Sequence, residues 1–595
     1  MFKTSVMPKI LLPRTTSATL SSIGYVSITC MLACWLIPGL LYYLPNNGGS
    51  GLMMPQDILS WWWCGAIALI IALCHASVRF IPRCAQFTSL LLLCGAAMWS
   101  LPSMWAPSRV AFNDGLAHVL ALWGLLALLW LLRLMPERLL RMNSWLKIIW
   151  IAALAQAIFS FLQVTVFSRY GGYAGTRPVG IFQQVNVLAS FLATGFICML
   201  VCLHQWRKFS HATRAIAVCS LLFFPFMLVL LQSRAGMIGA LASGLLLTII
   251  AARSGESCRQ LATVWTPVLA GIALALAWQH GLINMLFPQS GGGGLSLPDS
   301  FSIRDTSGST HERWNIIKNT WLMICQHPWL GTGYGGFESA FARTAIKNGG
   351  AVVGFTLIHP HNEILYAWAE GGLVALTGLL MMVTAILVSL WRRGGLRWTG
   401  LALLLPIAVH MNLEYPLYQS VPHGVVVVLL LSLVIPPARR RDIESKPDRL
   451  WLGRTLRIFT GICGLGLMII MSGTLHTQQA LTQAERTNMT PATLDSVVKS
   501  ASLFSQKVFE SRIDYDRHIA LLIQYNQSKD PNLLKQFVSW ADEYLMHRND
   551  PNVMASRLTI GMALSPEDMS SACQRARLLW PHDERMRCHQ TGASE

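Results

Sequence analysis

Thirteen apolar runs divide this chain, at about 22–44, 58–77, 87–105, 115–135, 146–168, 185–205, 215–232, 235–252, 262–280, 365–390, 398–411, 421–436 and 454–475. A helix bonds its own backbone groups, which no water can satisfy inside a bilayer, and needs about 17–25 apolar residues to cross the hydrocarbon core. The eleventh and twelfth runs are short for a crossing; the others suffice. The pattern predicts an all-α polytopic membrane protein with about 12–14 transmembrane helices. Only 12% of the 595 residues are charged and 53% are hydrophobic, against about 25% charged in soluble domains.

Lys and Arg set the expected orientation, because short positive loops stay in the cytoplasm. With Lys3, Lys9 and Arg14 inside, the alternation also puts inside Arg79 and Arg83, the stretch Arg133 to Lys147, Arg207 and Lys208, Arg392 and Arg393, and Arg439 to Arg441. Thirteen crossings then leave residues 281–364 and 476–595 outside, which in a bacterium means an inner-membrane protein facing the periplasm. The net charge of +18 is therefore mainly a topology signal. No segment gathers basic residues and aromatic platforms as a nucleic-acid site would. The first apolar run is too long, and lacks the small-residue site, for a cleavable signal peptide.

Four blocks are expected: an N-terminal transmembrane block at 1–280, a large outside loop at 281–364, further transmembrane helices at 365–475, and a helical outside domain at 476–595. The loop opens on the flexible Gly291–Gly294 stretch. In it Trp314, Ile317, Trp321 and Ile324 are predicted to form one face of a helix, and Gly331 to Phe337 is turn-rich without the Lys of a phosphate loop. Leu494, Val497, Val498, Ala501 and Leu503-Phe504 give the tail helical periodicity. Asp530-Pro531-Asn532 and Asp550-Pro551-Asn552 read as helix starts, an Asp cap followed by Pro in the first turn. Most of the fourteen Cys lie in apolar helices, where a thiol behaves as a small hydrophobe. Cys573 and Cys588 both fall in the tail, where an oxidising compartment would permit a bridge.

Chemistry concentrates in four places. His359-Pro360-His361-Asn362-Glu363 sets ionisable groups against a membrane helix, a costly placement that packing rarely explains. Imidazole exchanges protons near neutral pH, so His361 or His359 suits a general base, with Asn362 and Glu363 orienting a ring or capping the next helix; Glu370-Gly371-Gly372 follows. Arg177, Arg234 and Arg313 are expected at the outside face, against the topology rule, and guanidinium groups suit bidentate phosphate binding. Gly180 to Asn186 offers Gln183 and Asn186 to sugar hydroxyls or to a helix cap. His410 to Pro416 includes Glu414, which would pair with an Arg or orient His361. No cluster has metal-ligand spacing, and no cofactor is expected.

Taken together, His359 to Glu363 with Glu370 to Gly372, Ser233-Arg234 and Gly180 to Asn186 resemble the Wzy/WaaL superfamily of O-antigen ligases, O-antigen polymerases and bacterial protein O-oligosaccharyltransferases. The resemblance spans about 170–430. The long tail and Asn412 to Pro416 are most similar to the PglL type. It implies a GT-C-like, metal-independent, inverting transferase that moves a glycan from undecaprenyl pyrophosphate, at the periplasmic face, to Ser or Thr of an acceptor protein such as a pilin. Implied roles are catalysis by His361, His359 and Glu363, pyrophosphate binding by Arg234, Arg177 and Arg313, and substrate contact or support from Gln183, Asn186, Asn362, Glu370, His410 and Glu414. The alternatives are ligation of O-antigen to lipid A–core, O-antigen polymerisation, and transport of a lipid or solute. A transporter would carry ionisable groups near the midplane and broken helices in related halves; here charges gather at helix ends.

Overall fold

The computed structural model describes residues 18–74, 86–134, 142–167, 177–280, 307–348, 357–435, 450–487 and 489–588. Lys3, Lys9, Arg14, Arg79, Arg83, Arg439 to Arg441 and Gly291–Gly294 lie outside them. The described residues are helical, with no strand among them. In chain order the helices are α1 (Ala18–Leu36), α2 (Pro55–Cys74), α3 (Gln86–Ser100), α4 (Arg109–Leu134), α5 (Met142–Thr165), α6 (Val185–Cys202) and α7 (His211–Leu231). Then come α8 (Arg234–Arg253), α9 (Cys258–Gln279), α10 (Ser307–Gln326), α11 (Phe337–Lys347), α12 (Glu363–Trp391), α13 (Arg397–Met411), α14 (Val421–Val434) and α15 (Leu450–Thr487). The tail adds α16 (Pro491–Ser500), α17 (Leu503–Val508), α18 (Glu510–Ser528), α19 (Pro531–His547), α20 (Pro551–Leu564) and α21 (Ser570–Leu579).

Ten helices among the described residues are long and apolar enough to cross a membrane. They match the second to tenth predicted runs and the thirteenth. The first, eleventh and twelfth runs are carried by the shorter apolar stretches Val26–Leu41, Arg397–Met411 and Val421–Val434. This is an all-α polytopic membrane protein.

The chain forms two compact units, each built from segments distant in sequence. One comprises Met1–Leu91, Trp123–Asp305 and Val383–Met471; the other comprises Leu92–Leu122, Thr306–Met382 and Ser472–Glu595. The core of the first is Trp145, Ile149 and Ala153 of α5 against Leu188, Phe191 and Leu192 of α6, with Phe224 of α7, Leu403 of α13 and Val425 of α14. Small residues let these helices approach closely. A Cβ on Gly236 of α8 would stand 2.6 Å from that of Ala189 on α6.

In the second unit the tail is helical as predicted, and its starts are capped. Asp530 Oδ1 accepts from Asn532 N at 2.9 Å, and Asp550 Oδ1 from Asn552 N at 2.8 Å and Val553 N at 3.2 Å. Each satisfies amides that a helix leaves unbonded. Cys573 and Cys588 form a disulfide, their Cα atoms 6.0 Å apart. The predicted helix forms as α10, and its Trp face is mostly exposed. Of its four residues only Ile324 is buried, at 2% exposure, while Trp314, Ile317 and Trp321 are exposed. The buried arc is Ile316, Thr320, Met323 and Ile324, offset from the Trp stripe, which instead meets Trp368 through Trp321 at 5.6 Å between ring centroids.

One carboxylate in the tail makes stability depend on pH. Asp516 is buried in α18, and burial pushes its pKa up to about 7, with Glu485 adding to the rise and Arg512 opposing it. Folded, it keeps its proton up to about pH 7; unfolded, it releases it near pH 4. Stability therefore falls as pH rises through that window and is level above it. Asp516→Asn, which never ionises, is expected to stabilise the protein by up to about 4 kcal/mol at pH 8, from about 1.4 kcal/mol per pKa unit, and by much less at pH 4.5. Thermal melts at both values check this, and equal gains at both would refute it.

Candidate functional site

In the second unit the His359–Glu363 segment is held by its own side chains. His359 is 3% exposed and packs on Tyr366, ring centroids 4.3 Å apart. Its Nδ1 accepts from the backbone N–H of His361 at 3.0 Å. That leaves the ring proton on Nε2, which stands 3.6 Å from Glu363 Oε2. His361 takes φ +59°, a left-handed conformation that costs a residue with a Cβ about 1–2 kcal/mol; the bond to His359 offsets part of that. Asn362 Oδ1 caps α12 by accepting from Leu365 N at 3.0 Å. Glu363 lies in the first turn, where the helix dipole favours a carboxylate. So one histidine is buried and committed to its neighbours, and the other is half-exposed at a fixed turn.

Two features around this segment went unread in the sequence. His118 of α4 interacts electrostatically with Asp114, Glu363 and His359, adding a third imidazole to the cluster. It sits alone in an apolar run, and an ionisable group inside a membrane run was the available signal. The other is the segment Gly331 to Phe337, which runs along α12 backbone to backbone. Thr332 N donates to Ala369 O at 3.1 Å, Gly333 N to Glu370 O at 2.8 Å and Leu373 N to Pro328 O at 3.0 Å. Gly331 (φ +66°) has no room for a Cβ, which would lie 2.4 Å from Glu370 O; at Gly372 (φ +60°) it would lie 2.2 Å from Trp329 O. Glu370 accepts from Phe337 N at 2.9 Å, at the start of α11. Its carboxylate thus ties α12 to the turn. Tyr334 in that turn donates to Trp99 O, and burial, then Glu370 and Glu363, push its phenol well above the usual range.

A second polar cluster of this unit fixes α11 to the tail. Glu338 is buried and takes the backbone N–H of Asn549; Asn549 Nδ2 donates to Glu338 O at 2.9 Å. Arg548 reaches Glu338 Oε2 at 3.3 Å and pairs with Asp114. Burial raises the Glu338 pKa, against Arg548 and Asn549, which lower it. Burial works against the Arg548 charge, but Asp114 and Glu338 outweigh it and its pKa rises. Arg313 belongs to this unit as well, half-buried on α10.

The remaining predicted residues belong to the first unit. Arg177 Nη2 donates to Leu231 O at 2.8 Å, at the end of α7 and three residues before Arg234, which opens α8 behind the cap made by Ser233. The structure thus brings Arg177 and Arg234 to one corner. Gly180 to Asn186 is fastened from several sides. Gln163 accepts from Gly180 N at 2.9 Å and donates to Gly180 O at 3.1 Å, and Gln183 Nε2 donates to Asn46 Oδ1 at 2.7 Å. Glu414, 4% exposed, accepts from Asn186 Nδ2 and, at 3.3 Å, from Gln184 Nε2. The amides of Gln183 and Asn186 are therefore bonded within the protein. His410 is buried with its Nε2 3.6 Å from Glu414 Oε2. Among the described residues no three His, Cys, Asp or Glu side chains are grouped to hold a metal ion.

These features define a multi-pass membrane protein with a histidine–carboxylate cluster in one unit and an arginine–amide–carboxylate cluster in the other. The O-antigen ligase family model matches residues 217–380, which carry Arg234, Arg313, His359 to Glu363 and Glu370. The model for the C-terminal part of virulence factor membrane-bound polymerases matches 398–591, taking in His410, Glu414 and the tail. The protein glycosylation ligase model matches 178–198, with Gln183 and Asn186, and begins one residue after Arg177. No curated protein matches the chain. Together the three matches support the Wzy/WaaL superfamily, with PglL-like features.

Proposed function

We propose that this protein is a protein O-oligosaccharyltransferase. It moves a glycan en bloc from undecaprenyl pyrophosphate to a Ser or Thr hydroxyl of an acceptor protein such as a pilin, at the periplasmic face of a bacterial inner membrane. The acceptor oxygen attacks the anomeric carbon, the bond from that carbon to the phosphate oxygen breaks with inversion, and the hydroxyl proton passes to His361. Arg234, Arg177 and Arg313 bind the pyrophosphate and steady its developing charge, the kind of interaction that commonly dominates such catalysis. His359 and Glu363 hold the turn that presents His361.

The observation that carries this reading is the contrast between the two histidines: His359 is buried and bonded to the His361 backbone and paired with Glu363, whereas the His361 ring is half-exposed at the turn. The Cys573–Cys588 disulfide supports an oxidising compartment for the tail. The match to the glycosylation ligase model favours a protein acceptor. The match to the O-antigen ligase model favours a second reading, ligation of polysaccharide to lipid A–core.

Purified protein reconstituted with lipid-linked oligosaccharide is expected to add one glycan mass to a pilin-like acceptor, scored by intact-protein mass spectrometry. Transfer to lipid A–core alone would establish the second reading. Transfer to neither would remove both.

A further inference from the structure

Glu414 sits at the end of a buried row of polar side chains inside the first unit, and none of the glycan chemistry above uses that row. Ser420 Oγ stands 2.9 Å from His423 Nδ1, His423 Nε2 stands 3.1 Å from Ser190 Oγ, and Ser190 Oγ stands 2.7 Å from His410 Nδ1. His410 Nε2 then stands 3.6 Å from Glu414 Oε2. Ser190, His410 and His423 have 0% exposure and Ser420 has 2%. Phe182 and Phe191 close over the His423 ring, centroids 5.2 and 5.4 Å away. Three helices or their flanking turns supply the row: α6, α13 and the start of α14.

The direction of the row follows from counting protons. Each neutral imidazole has one donor and one acceptor nitrogen, and each hydroxyl has one proton. Ser190 has a second possible acceptor, Val187 O, at 3.1 Å. If it donated there, both rings would have to donate to its oxygen. His410 would then face the Glu414 carboxylate with a lone pair, unless an extra proton were buried between them. If Ser190 donates over the shorter distance to His410 Nδ1, the His423 N–H has Ser190 Oγ or Val187 O as its acceptor, and the His410 N–H faces Glu414 across 3.6 Å, an ion-pair contact longer than a hydrogen bond. Ser420 donates to His423, His423 to Ser190, Ser190 to His410, and the His410 N–H is directed at Glu414. All groups stay neutral except Glu414, and hydrogen bonds in such a chain strengthen one another in a low dielectric.

We infer that Ser420, His423, Ser190 and His410 form a one-way donor chain that keeps Glu414 as a carboxylate, and that this anion holds the Gln184–Asn186 segment where glycan transfer needs it. The inference rests on the transferase reading only for its second half. Ser190, His410 and His423 are positioning residues, acting through Glu414. Other charged or titratable groups at this end of the unit include Asp57, which accepts from Val421 N at 2.8 Å beside Ser420, Tyr415, which interacts with Glu414, and the Arg177–Arg234 corner, whose helix α8 packs on Ala189 beside Ser190.

The test uses the full protein in liposomes and two readouts. By infrared difference spectroscopy at pH 7, wild type minus Glu414→Gln is expected to show loss of a carboxylate band and of no protonated-carboxyl band. Ser190→Ala removes the donor to His410, so a proton is expected to enter the His410–Glu414 pair. In activity, the acid limb of the pH–rate profile is expected to move to higher pH, with transfer at pH 7 reduced several-fold. Ser190→Thr keeps the hydroxyl and is expected to restore both readouts. A protonated-carboxyl band lost in Glu414→Gln, or a Ser190→Ala protein with wild-type spectrum and pH profile, overturns the inference. Absence of glycan transfer in the wild type would instead defeat the transferase reading, and the infrared result would still decide the state of Glu414.

Discussion

His361→Asn is expected to lower the rate of glycan transfer by about 100- to 10,000-fold, the usual contribution of a general base, while the protein keeps its fold and its yield. Asn is the better probe than Ala because residue 361 sits at φ +59°, a conformation Asn tolerates and other residues with a Cβ resist. The backbone N–H that meets His359 Nδ1 survives the change, so what is lost is the imidazole alone. His359→Asn serves as the comparison. It removes the acceptor for that N–H and the partner of Glu363 without touching the proposed base, so a smaller loss is expected, accompanied by a lower melting temperature. Single-turnover assays with saturating donor separate the two. A His361→Asn protein that transfers at the wild-type rate would end the assignment, and an equal loss in both variants would point to His359 as the base.

The parts of this molecule legible in its sequence share one physical origin. Polar residues stand out where the surroundings are apolar and the groups are clustered. That is why His359 to Glu363 and the Gly180–Asn186 segment were visible, and why ten spans matched runs of hydropathy. The same contrast failed for His118, Ser190 and His423. Each is a single polar residue inside an apolar run, and only the fold reveals that it has partners. Arg177 and Arg234 stand out separately in the sequence by their charge; the bond from Arg177 to Leu231 O puts them at one corner, which no spacing in the sequence indicates. For Gln183 and Asn186 the sequence offered a sugar contact or a helix cap, and the structure gives them Asn46 and Glu414. The α10 stripe was legible as one face of a helix but not as an exposed one; near a bilayer aromatic residues gain from facing lipid or its interface. The glycines from 331 to 336 read as a turn-rich stretch, and the structure uses them for close backbone packing on α12.

Arg548→Ala is expected to destabilise the protein by about 3 kcal/mol, the lower end of what removing one member of a buried ion pair costs. The residue lies 210 positions from Glu338 in the sequence and bridges two carboxylates of unequal exposure. Glu338 keeps 3% of its side-chain surface and Asp114 keeps 36%. Without the guanidinium Asp114 can be rehydrated, but Glu338 is left as a buried anion supported only by Asn549. The damage should therefore depend on whether Glu338 is charged. Its folded pKa is already raised by burial, and losing Arg548 raises it further, so the variant binds a proton on folding. Its deficit against wild type is expected to shrink as pH falls toward 5 and to grow as pH rises to 8. Glu338→Gln in the same chain should recover much of the loss at pH 8, because an uncharged amide still accepts from Asn549 without needing a counter-ion. Thermal melts of the single and double variants at the two pH values test this, since neighbours in one network are expected to be strongly non-additive. If the two substitutions simply add, with no pH dependence, the cluster is a solvated surface pair and α11 is held to the tail by apolar packing alone.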